Sequence, residues 1–193
     1  MRVGVAGTGS VGLACAALLD ANGHRPLLWA TRGAADAGGQ RHIQTIGLFE
    51  HSCTVPVVAD VAEFATVDVV IICVLGNGHR AVFEAIAPVL RSGQSVIISS
   101  HASLGALYLS RLIAMRGLDI PVVAWATTLT GGPKIDGQPH VRLLRRELDV
   151  ATLPATRLEH GLSLSRALFR ATFNSSATML GIALGNLNPP IHM

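Results

Sequence analysis

The sequence predicts an α/β fold, a doubly wound parallel sheet with antiparallel edge strands, on three observations. Short, nearly uncharged, β-branched runs recur along the chain and alternate with segments of helical character. Half of the 193 residues are hydrophobic and only 14% are charged, the balance of a sheet buried on both faces. The apolar run Arg2 to Ala6 leads directly into Gly7-Thr8-Gly9-Ser10-Val11-Gly12 and then into an Ala/Leu stretch. Other counts exclude function classes. No apolar run approaches the ~18 residues of a membrane span, and the first residues do not read as a signal peptide, because their apolar segment runs straight into glycines. The net charge is +3 and the basic residues are scattered apart from Arg142, Arg145 and Arg146, which argues against nucleic-acid binding. Cys15, Cys53 and Cys73 sit in apolar surroundings without metal-ligand spacing. They read as buried free thiols of a cytoplasmic protein, and no metal site is expected.

Strand, glycine turn and helix in that order is the context of the dinucleotide fingerprint G-x-G-x-x-G. Gly7 makes the tight turn in this reading. Gly9 lets the backbone approach a pyrophosphate, and Gly12 lets the helix lie close to the strand with its N-terminus toward the phosphates. Thr8, Ser10 and Val11 complete the cofactor loop. The competing reading is a glycine-rich turn that holds no ligand. Asn22-Gly23-His24 stops the helix, and Arg25 to Ala30 is the second strand. Its end selects the cofactor: an acidic residue there suits the ribose hydroxyl of NAD, whereas this chain carries Thr31-Arg32-Gly33. A hydroxyl and a guanidinium suit a 2′-phosphate, so NADP is favoured with NAD possible; the alternative makes Arg32 a solvated loop residue.

Gly38 to Arg41 reads as a loop, and Thr45 to Phe49 and Cys53 to Val58 as short strands around a turn at Glu50-His51-Ser52. His42 and His51 read as surface histidines with no partner nearby in sequence. After a short helix at Val61 to Phe64 comes the strand Val67 to Leu75, then Gly76-Asn77-Gly78-His79 and a helix from Arg80 to Leu90. Ligands of a doubly wound sheet sit beyond the carboxyl ends of its strands, so Leu75, Gly76 and Asn77 should border the cofactor. His79, at the helix start, reads first as a packing or capping residue. Further strands are expected at Gln94 to Ser99 and Ile120 to Trp125, with a helix at Leu104 to Met115 between them. Val141 to Leu144 and Leu148 to Thr152 read as an antiparallel pair at the sheet edge. Helices are expected from Pro154 to Phe169, its apolar side made by Leu162, Leu164, Ala167 and Leu168, and from Ser175 to Leu184.

The chain resembles the cofactor-binding half of the octopine/nopaline (opine) dehydrogenases. The resemblance rests on the Gly7–Gly12 fingerprint, the Val67–Leu75 strand, Leu153-Pro154-Ala155 and Asn186-x-Asn188-x-x-x-His192. It implies a Rossmann-type domain over residues 1–185, with residues 186–193 opening a second, helical substrate domain that is otherwise absent. It further implies that His192 is the catalytic acid/base; the family's partner aspartate has no counterpart here. The implied reaction joins an amino acid to a 2-oxo acid as an imine and reduces it with NAD(P)H. On this resemblance the chain is the cofactor portion of such an enzyme, either a fragment of a longer protein or a naturally shortened product. Its partners are those small molecules, not nucleic acid or membrane, with a homodimer as the possible assembly. Ketopantoate reductases share the glycine turn and an Arg-tipped second strand. Their lysine after the fourth strand has no counterpart in Gly76-Asn77-Gly78-His79, and Ser100-His101 replaces their Asn-Gly pair. Besides an NADP-dependent reductase of that kind, a non-catalytic NADP(H)-binding module stands as an alternative.

Overall fold

The computed structural model describes residues 1–31, 38–100, 104–176 and 178–185. Strand β1 (Arg2–Ala6) is buried beyond its first residue, and helix α1 (Ser10–Ala21) follows it. Asn22 caps α1 and Gly23, at φ +80°, turns the chain back, a backbone state open to glycine. β2 (Arg25–Trp29) then pairs in parallel with β1. β3 (Gln40–Gly47) and β4 (His51–Val58) form an antiparallel hairpin, and β4 joins β2 in parallel. A 3₁₀ turn at Val61–Thr66 starts where the Asp60 carboxylate accepts the Ala62 amide at 2.8 Å, a cap of the ordinary kind. It leads into β5 (Val69–Ile72). Helix α2 (His79–Ile86), β6 (Ser95–Ile98), helix α3 (Gly105–Ala114) and β7 (Val122–Trp125) complete the winding.

The neighbours β4-β2-β1-β5-β6-β7 are all mutually parallel. Counted along the chain, these strands have the 3-2-1-4-5-6 order of a doubly wound sheet, whose switch point lies between β1 and β5. Every residue of β5, β6 and β7 is buried because both faces are covered. One face, with Val5, Ile71, Ile97 and Val123, packs against Leu13, Ala16 and Ala17 of α1. The other, with Val70, Ile72, Val96 and Ile98, packs against Val82, Phe83 and Ile86 of α2 and Leu109 and Ile113 of α3. Gly4 is the narrow point of β1: a Cβ there would lie 2.9 Å from the fully buried Phe64 ring.

The segment after β7 departs from the sequence reading. It contributes β8 (Thr130–Gly131), β9 (Lys134–Ile135), β10 (Gln138–Val141), β11 (Leu143–Leu144) and β12 (Glu147–Leu153). The expected pairing of Val141–Leu144 with Leu148–Thr152 does not form. β10 crosses to the far edge of the sheet and joins β3 in parallel, β11 pairs with β8, and β12 lies antiparallel to β7. β12 buries Leu148, Val150, Ala151 and Thr152, more than a free edge hairpin would cover, so it takes a sheet neighbour on each side. The outer neighbour is β13 (Thr172–Ser175), where the sequence placed the approach to a helix. Phe173 decides this, buried with its ring centroid 5.4 Å from that of Trp125.

Helix α4 (Leu158–Leu168) buries Gly161, Leu162, Ser165 and Leu168, whereas the expected Ala167 is exposed and Leu164 only half-buried. Ser165 is inside because its hydroxyl accepts the Trp125 indole N–H at 3.1 Å. The last helix, α5 (Met179–Gly185), begins later than expected. β3 starts at Gln40, where a loop was expected, since Ile43 and Thr45 point inward in strand alternation. Its turn falls at 48–50. β5 is shorter than Val67–Leu75, α2 ends at Ile86, and Cys53 is half-buried rather than buried. Among the described residues, no helix is long and apolar enough to cross a membrane.

Candidate functional site

The carboxyl ends of β2, β1 and β5 lie side by side, and each releases one of the expected cofactor segments. Thr31 follows β2, Gly7 to Gly12 follow β1, and Leu75, Gly76 and Asn77 follow β5. The Gly7 amide donates to the Trp29 carbonyl at 2.9 Å and the Cys73 amide to the Ala6 carbonyl at 2.8 Å, tying the three exits together.

Each fingerprint glycine answers to a different constraint. Gly7 sits at φ +123°, and a Cβ there would collide with the Cys73 carbonyl oxygen. A Cβ at Gly12 would collide with the Gly7 carbonyl, so α1 packs on the turn backbone to backbone. Gly9 is different. As the N-cap of α1 it is in extended conformation, and a Cβ there would meet nothing within 4 Å. The turn therefore leaves open space at the one fingerprint glycine expected to let a ligand approach. The Leu13 amide reaches the Gly9 carbonyl at 3.0 Å; the amides ahead of it have no intrahelical acceptor. Among the described residues no side chain is bonded to them as a cap, since the N-cap is Gly9, and the first turn of α1 carries no acidic residue. A positive helix end left uncapped over open space fits the phosphates of a dinucleotide.

The Ser10 hydroxyl donates to the Pro133 carbonyl at 3.1 Å, so it anchors the loop ahead of β9 against the head of α1. What Ser10 offers a ligand is its amide. Leu75 is 78% exposed, an apolar side chain held out beside the loop. Gly76–Gly78 form a 3₁₀ turn in which the Gly78 amide donates to the Leu75 carbonyl at 2.8 Å. Arg32 and His192 lie outside the described residues, as do His101 and the Asn186–Asn188 part of the terminal motif.

Two features escaped sequence reasoning. His79 is buried at the start of α2, its ring 5.2 Å from that of Phe83, and burial pushes its pKa below the usual imidazole value against a hydrogen bond to the Val74 backbone. Among the described residues its Nε2 has no hydrogen-bond partner. Beneath the glycine turn, the Cys15 thiol is hydrogen-bonded to Cys73, and that contact together with burial raises its pKa well above the usual thiol range. The sequence did place His79 at the helix start and both cysteines among apolar neighbours; their contacts are tertiary. His51 is also corrected. It is half-buried, and its Nε2 lies 2.8 Å from the Asp20 carboxylate of α1.

This sheet order, with a glycine turn at its switch point and the head of a helix above it, is a Rossmann-like fold. Residues 3–120 match the family model "Ketopantoate reductase PanE/ApbA", and the chain belongs to that family, whose members are NAD(P)-dependent oxidoreductases. No curated protein sequence matches the chain. Among solved structures it is similar to octopine dehydrogenase bound to NADH and L-arginine, at a TM-score of 0.76 and 16% identity over 96% of this chain and 51% of that one. It is also similar to a PanE/ApbA family ketopantoate reductase from Ralstonia eutropha JMP134, at 0.71 and 20% over 97% and 60%. A third is D-mandelate dehydrogenase with NADH and anilino(oxo)acetate, at 0.71 and 17% over 95% and 59%. The chain thus spans between half and three-fifths of these longer proteins. The likeness to the opine enzyme lies in the fold alone; the family shown is that of the ketopantoate reductases.

Proposed function

We propose that this chain is the cofactor-binding portion of an NADP(H)-dependent reductase acting on a 2-oxo acid or on the imine formed from it and an amino acid. The observation that carries the reading is the glycine turn, closed to a Cβ at Gly7 and Gly12 yet open at Gly9, beneath an uncapped helix end. In this reading the amides of Gly9 to Gly12 hold the pyrophosphate, and Thr31 and Arg32 hold the 2′-phosphate. Leu75 to Asn77 border the nicotinamide half. When bound, the cofactor supplies the hydride. Leu75, exposed at the rim, gives the cofactor an apolar neighbour that keeps water from it.

Two substrate classes follow from two observations. The family match favours reduction of the carbonyl of a 2-oxo acid. The Asn186-x-Asn188-x-x-x-His192 motif favours the imine, with His192 moving the proton to or from the substrate. Oxidation of NADPH by the full-length protein, with a panel of 2-oxo acids in the presence and absence of amino acids, separates them. Turnover that needs the amine supports the imine, turnover without it supports the carbonyl, and a protein that binds NADPH but turns over neither is a binding module.

A further inference from the structure

Helix α1 and strand β4 bring together three side chains that the cofactor site does not use. Asp20 is in the last turn of α1, while His51 and Cys53, two residues apart, project from the same face of β4. One ligand atom from each, a carboxylate oxygen, an imidazole nitrogen and a thiol sulfur, lie within 4.8 Å of one another. His51 Nε2 and Asp20 Oδ2 are 2.8 Å apart, and these side chains keep 27% and 38% exposure, so solvent reaches the trio.

The geometry points to a three-ligand site for a divalent transition metal of the zinc type at Asp20, His51 and Cys53. Oxygen, nitrogen and sulfur are the donor types zinc takes, at about 2.0–2.3 Å, which sets ligand atoms about 3.5 Å apart in a tetrahedron. All three ligand atoms lie within 4.8 Å of one another, so the trio is close to that spacing, and the Asp20–His51 pair at 2.8 Å has to open for the ion to enter. His51 is itself steadied, with its ring stacked on Phe49 at 5.9 Å between centroids. The fourth position faces solvent and takes water.

The site's place decides its role. The ten helical steps from Ser10 to Asp20 extend about 15 Å along the helix axis, so the metal sits at the opposite end of α1 from the glycine turn. It clamps the end of α1 to β4, and its effect is on stability, not on hydride transfer.

Cobalt(II) is the probe, since its thiolate charge-transfer and ligand-field bands report sulfur coordination and tetrahedral geometry. Titrated into the whole chain, Co²⁺ should give these bands with a break at one equivalent, and Zn²⁺ should abolish them. Zn²⁺ should also raise the melting temperature. Cys53→Ser should lose the charge-transfer band while keeping its circular dichroism. His51→Gln should weaken Zn²⁺ binding roughly tenfold or more and lose the thermal shift; Asp20→Asn serves where either variant fails to fold. A Co²⁺ spectrum without charge transfer, or bands unchanged in Cys53→Ser, overturns the site and leaves only the His51–Asp20 hydrogen bond with Cys53 beside it. NADPH binding is unaffected in either case, which keeps this test separate from that of the cofactor reading.

Discussion

Gly9 and Gly12 belong to one motif, yet their substitution should have opposite signatures. At Gly12 alanine gains about 1 kcal/mol of helix propensity. Its Cβ, however, would overlap the Gly7 carbonyl, a backbone atom that moves only with the whole turn. Overpacking of this kind costs about 1–3 kcal/mol, with the upper part of the range expected against backbone. The steric loss wins, and Gly12→Ala should be less stable by about 1–2 kcal/mol. Gly9 is an extended N-cap with open space around its Cβ, so Gly9→Val costs only the capping preference, about 0.5–1 kcal/mol. Its isopropyl group occupies the approach of the pyrophosphate. Losing two amide–phosphate bonds at about 1.5–3 kcal/mol each weakens NADPH binding by roughly a hundredfold or more. Urea melts and calorimetric NADPH titrations of both variants are the assay. Unchanged affinity in Gly9→Val, or a Gly12→Ala chain more stable than its parent, would refute the reasoning.

Arg32→Ala should weaken NADP binding more than NAD binding, by about 1.5–3 kcal/mol; equal losses in parallel titrations make Arg32 a loop residue. In the full-length protein, His192→Ala should lower turnover by about 10²–10⁴-fold with cofactor affinity nearly unchanged. Near-normal turnover removes the proposed acid/base. Burial of His79 sets a pH dependence. With its pKa lower in the folded chain than in the unfolded one, the unfolded state takes up a proton first as pH falls. Stability is therefore complete above the ordinary value of 6.5 and declines as pH drops through and below it. His79→Leu should flatten that decline in denaturant melts; an identical pH slope would show that His79 does not contribute.

The parallel core was legible because its signals are local. β-branched runs, helical periodicity and the glycine turn each fit inside one element, and the run of buried strands from Val69 to Trp125 emerged where the sequence placed it. The common placement of the segments expected to bind a cofactor was legible for the same reason: Gly7, Thr31 and Leu75 each follow a strand, and strand order brings those carboxyl ends to one rim. What the sequence left hidden depends on long-range partners. β10 pairs with a strand nearly a hundred residues earlier, and nothing in Gln138–Val141 announces that partner. Ser165 reads as polar, but the Trp125 indole draws it inside. His51 reads as a surface histidine until α1 places Asp20 beside it.

Whether this chain by itself holds a nicotinamide dinucleotide is most directly measured by titrating it with NADPH while following tryptophan emission. Trp29, at the end of β2, shares a backbone hydrogen bond with Gly7 at 2.9 Å, so a cofactor on the glycine turn lies within energy-transfer range of its indole. The account predicts saturable quenching of tryptophan emission with matching sensitised emission from the reduced nicotinamide, both abolished in Gly9→Val. A linear, non-saturating decrease, the same in the parent chain and the variant, would contradict it.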